Sequence, residues 1–189
     1  MYNINPGYPL SENDNCEPYG AYAISKYNGE KIVRQYKKHI LIRTSWVYGN
    51  EGKNFYKTML SLANRPELKI VSDQYGAPTY AVDLGMFILK VIQYLEDTED
   101  RDKYYGTYNF SNEGCISWYD FAVQIFSLNE INISLSPTTT SAYNAPAHRP
   151  YWSVLSKQKL KKNFNFEVAH WLDGLKRCIE EGKHSFRLN

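Results

Sequence analysis

The sequence predicts an α/β domain with a mainly parallel sheet. Short runs of β-branched and aliphatic residues alternate along the chain with segments of helical periodicity, which is the pattern of such sheets. The 189 residues, 43% of them hydrophobic, suffice to bury one core. A formal net charge of +2 gives no electrostatic reason to expect a nucleic-acid partner, and no apolar run is long enough to span a membrane.

The first half of the chain predicts a loop, two helices and two strands. Residues 1–20 are rich in Pro, Gly, Asn and acidic residues, which predicts the loop. Helical periodicity over 21–36 is followed at 39–48 by an apolar, β-rich run that a glycine ends, which predicts a buried strand. Apolar residues on one face predict a helix over 54–63, and a short strand is expected over 68–71.

The second half continues the alternation. The helix predicted over 82–95 has an apolar stripe, and the charged run 96–102 is most simply a solvated turn. Ser117 is a suitable N-cap for a helix that reaches about residue 128. The remaining predicted elements are strands at 107–110 and 131–135 and helices at 153–163 and 169–181, the last with Gly182 as its C-cap. We expect a ligand at the loops that leave the carboxyl ends of the parallel strands.

The cysteines and histidines carry no recognisable motif. Cys16, Cys115 and Cys178 are too widely spaced for a metal motif, and an odd number argues against a disulfide framework. The four histidines are equally scattered. We therefore expect free thiols, no metal site and a cytoplasmic protein.

Two tyrosines precede a lysine by four residues on the first predicted helix. Residues at this spacing share one helix face, and a lysine ammonium near a tyrosine hydroxyl favours the phenolate, which makes the tyrosine a better acid–base group. The lysine can also bind the ribose hydroxyls of a dinucleotide. A ketone reductase needs this arrangement. The spacing fits both Tyr22–Lys26 and Tyr27–Lys31, and either pair could instead be an exposed helix face.

A series of segments, in order, resembles the dTDP-4-dehydrorhamnose reductase (RmlD) family of extended short-chain dehydrogenases/reductases. The segments are EPYGAYAISKYNGE at 17–30, RTSWVYG at 43–49, NFYKTML at 54–60, VSDQYGAPTY at 71–80, SWYDFA at 117–122 and AHRP at 147–150. The resemblance covers about residues 8–180. It implies an incomplete Rossmann-like, NAD(P)-binding sheet over about 8–75 and a small C-terminal substrate-binding α/β subdomain over about 76–183.

The resemblance also implies a reaction and roles for three residues. Tyr22, rather than Tyr27, matches the proton donor, and Lys26 matches the lysine that tunes this tyrosine and contacts the cofactor ribose. Trp46, at the end of a strand, matches a tryptophan that contacts the substrate sugar, although it could instead be a core aromatic. The implied reaction is reduction of the 4-keto group of dTDP-4-dehydro-L-rhamnose to give dTDP-L-rhamnose, with NADPH or NADH as the reductant.

Three further residues are candidates for binding the nucleotide sugar. Arg149 is the best candidate for a diphosphate clamp because a guanidinium fork suits phosphate oxygens, with an ordinary surface arginine as the alternative. Asn54 and Gln74 could contact the nucleotide or the sugar, or could cap and brace loops. Asp73 and Asp120 are expected to make structural hydrogen bonds or helix caps.

The sequence departs from the family pattern at its start. Its 11 glycines form no GxGxxG or GxxGxxG motif, so we expect the pyrophosphate cradle, with about the first hundred residues of a typical member, to be missing. The chain is then a fragment of a reductase, one half of a split enzyme, or a catalytically silent binding or regulatory module, as in the methionine adenosyltransferase regulatory subunit that resembles this family. Because a truncated sheet exposes an edge and apolar faces, we expect association with itself or with a complementary N-terminal half.

Overall fold

The computed structural model describes residue 2 and residues 6–145, 147 and 149–185. No helix within these residues is long and apolar enough to cross a membrane. The elements are α1 (Gly20–Val33), β1 (Ile40–Thr44), β2 (Val47–Tyr48), α2 (Phe55–Ser61), β3 (Glu67–Val71), β4 (Tyr75–Gly76), β5 (Thr79–Tyr80), α3 (Ala81–Asp97), a 3-10 helix (Arg101–Tyr104), β6 (Gly106–Phe110), β7 (Ile116–Ser117), α4 (Trp118–Leu128), β8 (Ser134–Thr138), α5 (Thr140–Tyr143), α6 (Gln158–Phe164) and α7 (Trp171–Ser185).

Parallel pairing dominates the strands of the described residues. β1 pairs with β6 in parallel from Ile40 opposite Gly106 to Thr44 opposite Phe110, and β3 pairs with β8 in the same sense. The short strands β2 and β5 are also parallel, whereas β4 and β7 are antiparallel. Helices separate the partners of the parallel pairs along the chain, as crossover connections require. The predicted α/β class with a mainly parallel sheet is therefore confirmed.

Two main apolar cores fill the space between these elements. In the first, α3 and α6 cover the β1–β6 pair, and the Phe87 and Phe110 rings stack with centroids 5.1 Å apart. In the second, α2, α4 and α7 pack around the end of β2. The residues of the first core are Phe87, Val91, Tyr108, Phe110, Leu160 and Phe164. Central residues of the second are Tyr48, Tyr56, Phe121, Ile125, Leu175 and Cys178.

The helix predicted over 153–163 begins later than expected. α6 starts at Gln158, and the residues before it are extended because they pair with the buried Leu10. The Leu10 amide donates to the Val154 carbonyl at 2.8 Å, and the Ser156 amide donates to the Leu10 carbonyl at 2.7 Å. The prediction was wrong over 153–157 because periodicity within one segment carries no information about so distant a partner.

Other boundaries also differ from their predictions. The single strand expected over 39–48 is interrupted at Ser45 and Trp46, so that β1 pairs with β6 and β2 pairs with β5. The strand expected over 131–135 lies at Ser134–Thr138, where its register is set by β3. Gly182 lies inside α7, which continues to Ser185, so its assignment as a C-cap was wrong. The charged run is only partly a turn, because α3 extends to Asp97 and a 3-10 helix follows at Arg101–Tyr104.

A buried ion pair anchors α1 to the sheet. Glu30 is the one buried residue of this helix, and its carboxylate accepts from Arg43 on β1, with a 3.0 Å bond from Arg43 Nε to Glu30 Oε2. The same guanidinium donates to the Tyr2 hydroxyl and to the Glu12 carbonyl. Arg34 approaches Glu30 from the next helical turn, at 3.2 Å. The helix thus depends on electrostatics more than on apolar packing.

A second ion pair locks the start of α3 to α7. Arg177 donates to both carboxylate oxygens of Asp83, at 2.6 and 2.7 Å, in the bidentate geometry that guanidinium favours. Asn112, just after β6, donates to the same carboxylate at 2.6 Å and accepts from the Tyr80 amide at 2.8 Å. This network ties the end of β5 and the start of α3 to the second core.

The three cysteines are free thiols, as predicted. Cys178 is fully buried in the second core, and this burial raises the pKa of its thiol to about 12. Burial also raises the pKa of the more exposed Cys115 thiol. Because the thiolate is the nucleophilic form, neither residue is set up for nucleophilic chemistry.

Candidate functional site

Tyr22 and Lys26 lie side by side on the exposed face of α1. The Tyr22 side chain is 77% exposed, and Lys26 Nζ lies 5.7 Å from the centre of its ring. The second pair has the same arrangement, with Lys31 Nζ 4.6 Å from the Tyr27 ring centre. The local geometry therefore does not distinguish the two pairs. α1 leads directly into β1, so its N-terminus and the carboxyl end of β1 belong to the same edge of the sheet.

Trp46 follows β1 at that edge in an unusual backbone conformation. Its φ is 52°, in the left-handed region that a bulky residue rarely adopts. Thr79, fully buried on β5, holds this conformation: its amide donates to the Trp46 carbonyl at 3.0 Å, and its hydroxyl donates to the Ser45 carbonyl at 2.6 Å. Strained residues that are fixed by their surroundings are concentrated at functional sites.

The Trp46 indole is packed as tightly as its backbone. It stacks on Trp118 with ring centroids 3.5 Å apart and planes 10° from parallel. Gly76 approaches the same ring so closely that an added Cβ would lie 2.7 Å from Cε2 of Trp46, and the same Cβ would lie 2.6 Å from the Ser153 hydroxyl. The half-buried Trp46 ring therefore packs against a second indole and against the bare backbone of Gly76.

Trp118 and Gly76 are placed by neighbouring elements. β4 and β7 pair Gly76 with Ile116, two residues before Trp118. Trp118 opens α4, whose N-cap Ser117 and Asp120 form a reciprocal capping box, with the Ser117 amide donating to Asp120 at 3.0 Å and the Asp120 amide donating to Ser117 Oγ at 3.1 Å. The predicted N-cap and the capping role of Asp120 are both confirmed.

Asp73 and Gln74 brace the loop before β4. The Asp73 carboxylate accepts from the amide of Thr140 at 2.9 Å and from its hydroxyl at 2.6 Å, which is the structural role expected of Asp73. The buried Gln74 amide donates to the same Thr140 hydroxyl at 3.0 Å. Gln74 therefore makes a bracing contact, which was one of its two predicted roles, and its contact with a ligand stays a prediction.

Asn54 caps α2. Its side chain accepts from the Lys57 amide at 3.0 Å and donates to the carbonyls of Gly49 at 2.9 Å and Glu51 at 3.1 Å. All three bonds serve the local fold. Asn54 also lines a cavity of ≈ 510 Å³. Other residues that line this cavity are Tyr48, Asn50, Lys53, Tyr80 and Glu181. Trp46 and Tyr22 do not line this cavity, so it does not coincide with the edge that carries the reactive candidates.

Arg149 lies on an exposed segment that runs beside β4. Two residues further on, the Tyr151 carbonyl accepts from the Tyr75 amide at 2.7 Å, and the Ser153 amide donates to the Tyr75 carbonyl at 2.8 Å. This pairing brings the segment to the neighbourhood of Gly76 and Trp46. The adjacent His148 of the AHRP motif lies outside the described residues.

Sequence reasoning gave no role to three residues that surround Trp46. Thr79, Gly76 and Trp118 all lie in segments that resemble family motifs. Spacing alone does not show that Thr79 fixes the backbone of Trp46, that the absence of a side chain at Gly76 makes room for its ring, or that Trp118 stacks on it. Position within the motifs was the available signal.

The chain matches the family model described as the RmlD substrate binding domain over residues 4–184. It is 36% identical over 189 residues to the dTDP-4-dehydrorhamnose reductase of Escherichia coli, covering 94% of this chain and 61% of that protein. It is equally 36% identical over 183 residues to the spore coat polysaccharide biosynthesis protein SpsK of Bacillus subtilis, covering 96% of this chain and 61% of the relative. The chain thus spans about three fifths of the length of these curated relatives.

Solved structures agree with the sequence relatives. The dTDP-4-dehydrorhamnose reductase of Clostridium acetobutylicum superposes with a TM-score of 0.88 at 38% identity, over 96% of this chain and 62% of that one. The Bacillus anthracis reductase, solved in complex with NADP, gives 0.87 at 37% identity with the same coverage. A UDP-galactose 4-epimerase gives 0.74 at 16% identity, which shows the Rossmann-like fold alone. The chain belongs to the family of the RmlD substrate binding domain found in dTDP-4-dehydrorhamnose reductases.

Proposed function

We propose that this chain supplies the substrate-binding and proton-donating part of a dTDP-4-dehydrorhamnose reductase. The carrying observation is that the exposed Tyr22–Lys26 pair on α1 and the clamped Trp46 after β1 belong to one edge of the parallel sheet. Ligands of such sheets bind at that edge. The homologous reductases support the reaction, and one of them binds NADP.

Each residue has a defined task in the proposed reaction. The Tyr22 hydroxyl donates the proton to the ketone oxygen of dTDP-4-dehydro-L-rhamnose, and the 4-keto group becomes a hydroxyl once C4 has also received the hydride that bound NADPH or NADH would supply. Lys26, beside the Tyr22 ring, holds the ribose of the nicotinamide nucleotide. Trp46 stacks on the sugar, and the exposed Arg149 pairs with the diphosphate.

The residues of this chain fit one end of the cofactor. NADPH or NADH supplies the hydride when it is bound. Tyr22 and Lys26 can face its nicotinamide ribose, but no GxGxxG motif is available in the sequence for the pyrophosphate. The pyrophosphate must then be held by a complementary N-terminal part, and the chain acts as a fragment or half of the enzyme.

Surfaces of this chain are suited to such a complementary part. In the described residues, β1 pairs with β6 alone, which leaves the N–H and C=O groups along its other edge available for pairing with a further strand. The outer face of α3 exposes Val82, Met86 and Leu89, at 42%, 55% and 67%, in one stripe. A helix that is apolar around most of its circumference is normally buried.

These surfaces predict that the purified chain self-associates when no complementary half is present. We expect multi-angle light scattering to give a mass above that of a monomer, together with binding of a hydrophobic dye. Met86→Glu combined with Leu89→Glu should reduce both signals, because charges oppose apolar association. Ser61→Glu with Asn64→Glu, which adds the same charge at two exposed positions at and just after the end of α2, should leave both unchanged. A monodisperse wild-type monomer without dye binding would contradict this prediction.

The function itself is tested by complementation. The chain is mixed with the N-terminal part of the Clostridium acetobutylicum reductase that it does not cover, and NADPH oxidation is followed with dTDP-4-dehydro-L-rhamnose. We expect turnover in the mixture and dTDP-L-rhamnose binding by the chain alone, measured calorimetrically. Sugar-nucleotide binding without turnover in a stable complex would instead favour a catalytically silent binding or regulatory module. A folded chain that shows neither activity nor binding refutes the proposal.

A further inference from the structure

We infer that Trp118 is a positioning residue, which sets the orientation in which the Trp46 indole meets the hexose of the substrate. This inference rests on the proposed function, because it takes Trp46 to be the sugar contact. It goes further in assigning a role to a second tryptophan and in separating recognition of the sugar from recognition of the nucleotide.

The backbone of Trp46 leaves the indole orientation to its neighbours. A tryptophan at a φ of 52° is in a sparsely populated conformation, which persists where surrounding bonds enforce it. The two hydrogen bonds that Thr79 donates fix the carbonyl groups of Ser45 and Trp46, but neither involves the indole ring of Trp46. The side-chain torsions of Trp46 must therefore be fixed by packing.

Trp118 and Gly76 supply that packing. One face of the Trp46 indole is covered by Trp118 at a centroid distance of 3.5 Å, and the ring also lies against the Gly76 backbone. Trp118 is itself immobilised, since it lies within the capping box, directly after the N-cap Ser117, and its ring contacts Phe55 at a centroid distance of 4.6 Å. These contacts hold the uncovered part of the Trp46 ring in one orientation.

Loss of Trp118 should therefore affect one half of the substrate. Without the second indole, Trp46 can rotate and no longer presents a fixed surface to the sugar ring. Arg149, the proposed contact of the diphosphate, lies on a different segment that pairs with β4 through backbone bonds. Binding of dTDP should then persist while the extra affinity that the rhamnose contributes is lost.

The test combines circular dichroism with calorimetry on the full chain. Two indoles stacked this closely give an exciton-coupled band, which we expect in the wild type and in the control Trp152→Phe. The band should vanish in Trp46→Phe, Trp118→Ala and Trp118→Phe. It should also vanish in Gly76→Ala, which keeps both indoles but places a methyl group 2.7 Å from the Trp46 ring. The same methyl group would lie 2.6 Å from the Ser153 hydroxyl, so Ser153→Ala is the matched control and should keep the band.

Calorimetry then separates sugar from nucleotide. We expect Trp118→Ala to weaken dTDP-L-rhamnose binding by about 3- to 10-fold, the range for loss of an aromatic contact, with dTDP binding unchanged. Trp118→Phe should keep most of the sugar affinity because a ring still covers Trp46. Gly76→Ala should reproduce the selective loss, so the result does not depend on Trp118→Ala folding.

The outcomes distinguish this inference from the proposed function. An unchanged ratio of sugar to dTDP affinity in both Trp118→Ala and Gly76→Ala overturns the positioning role and leaves the proposed function intact. A wild type that binds neither dTDP nor dTDP-L-rhamnose refutes the proposed function. The exciton band tests the stacking of the two indoles independently of ligand binding. Absence of the band from the wild type would overturn the positioning role of Trp118.

Discussion

Glu30→Ala is expected to lower the free energy of unfolding by about 3–5 kcal/mol, the cost of breaking a buried ion pair from one side. The Arg43 guanidinium would remain in the protein interior without its carboxylate, since the two side chains are 4% and 2% exposed. α1 is especially sensitive because Glu30 is its one buried residue. Urea denaturation followed by circular dichroism measures the change.

Two variants show whether the unpaired charge is the cause. Glu51→Ala removes an exposed carboxylate and should change the stability by less than about 0.5 kcal/mol. Glu30→Met combined with Arg43→Met removes both charges and should recover part of the loss, because apolar residues of similar volume replace buried pairs at little cost. If Glu30→Ala were as stable as Glu51→Ala, the ion pair would not be what holds α1 in place.

Tyr22→Phe is expected to lower turnover of the complemented enzyme by about 10²- to 10⁴-fold, the usual contribution of a positioned general acid. The substitution removes the donated proton and keeps the ring. Binding of dTDP-L-rhamnose should be retained, because Trp46 and Arg149 remain. The measurement is NADPH oxidation at saturating substrate, with calorimetry of dTDP-L-rhamnose on the same sample.

The second tyrosine–lysine pair provides a matched control. Tyr27 lies one turn further along α1 and has the same contact with a lysine, at 4.6 Å from Lys31 Nζ to its ring centre. Tyr27→Phe should leave turnover within about 2-fold of the wild type, since it is a change distant from the proton transfer. Equal losses in the two variants would mean that the phenylalanine disturbs α1 rather than the chemistry, and full activity in Tyr22→Phe would exclude Tyr22 as the donor.

Local signals in the sequence predicted the local parts of this structure. Ser117 marked the start of α4 because an N-cap bonds within its own first turn. The apolar stripe of α3 was sufficient to place that helix. The β-rich run over 39–48 located β1 but did not show that the strand is interrupted at Trp46, because pairing with β5 separates β2 from β1. The predicted position of β8 was wrong because the register of this strand is set by its pairing with β3. Residues 153–157 were misassigned because their pairing with Leu10 is not encoded in their own periodicity.

The candidate site divides in the same way. The spacing of Tyr22 and Lys26 predicted that they share a helix face, and they do. The spacing could not choose between this pair and Tyr27–Lys31, which requires knowledge of the partner surfaces. The left-handed backbone of Trp46 was beyond prediction, since it is imposed by Thr79 from another strand.

The parallel ladders also govern how fast this chain can fold. Ile40 on β1 must meet Gly106 on β6, and Glu67 on β3 must meet Ser134 on β8, so each ladder closes a long loop before it gains a hydrogen bond. Loop closure of this kind raises the entropic barrier and slows folding relative to helical bundles. During synthesis, β1 leaves the ribosome long before β6 exists. Its apolar residues then stay exposed to other nascent chains, so yield on expression should depend more on chaperone capacity than on final stability.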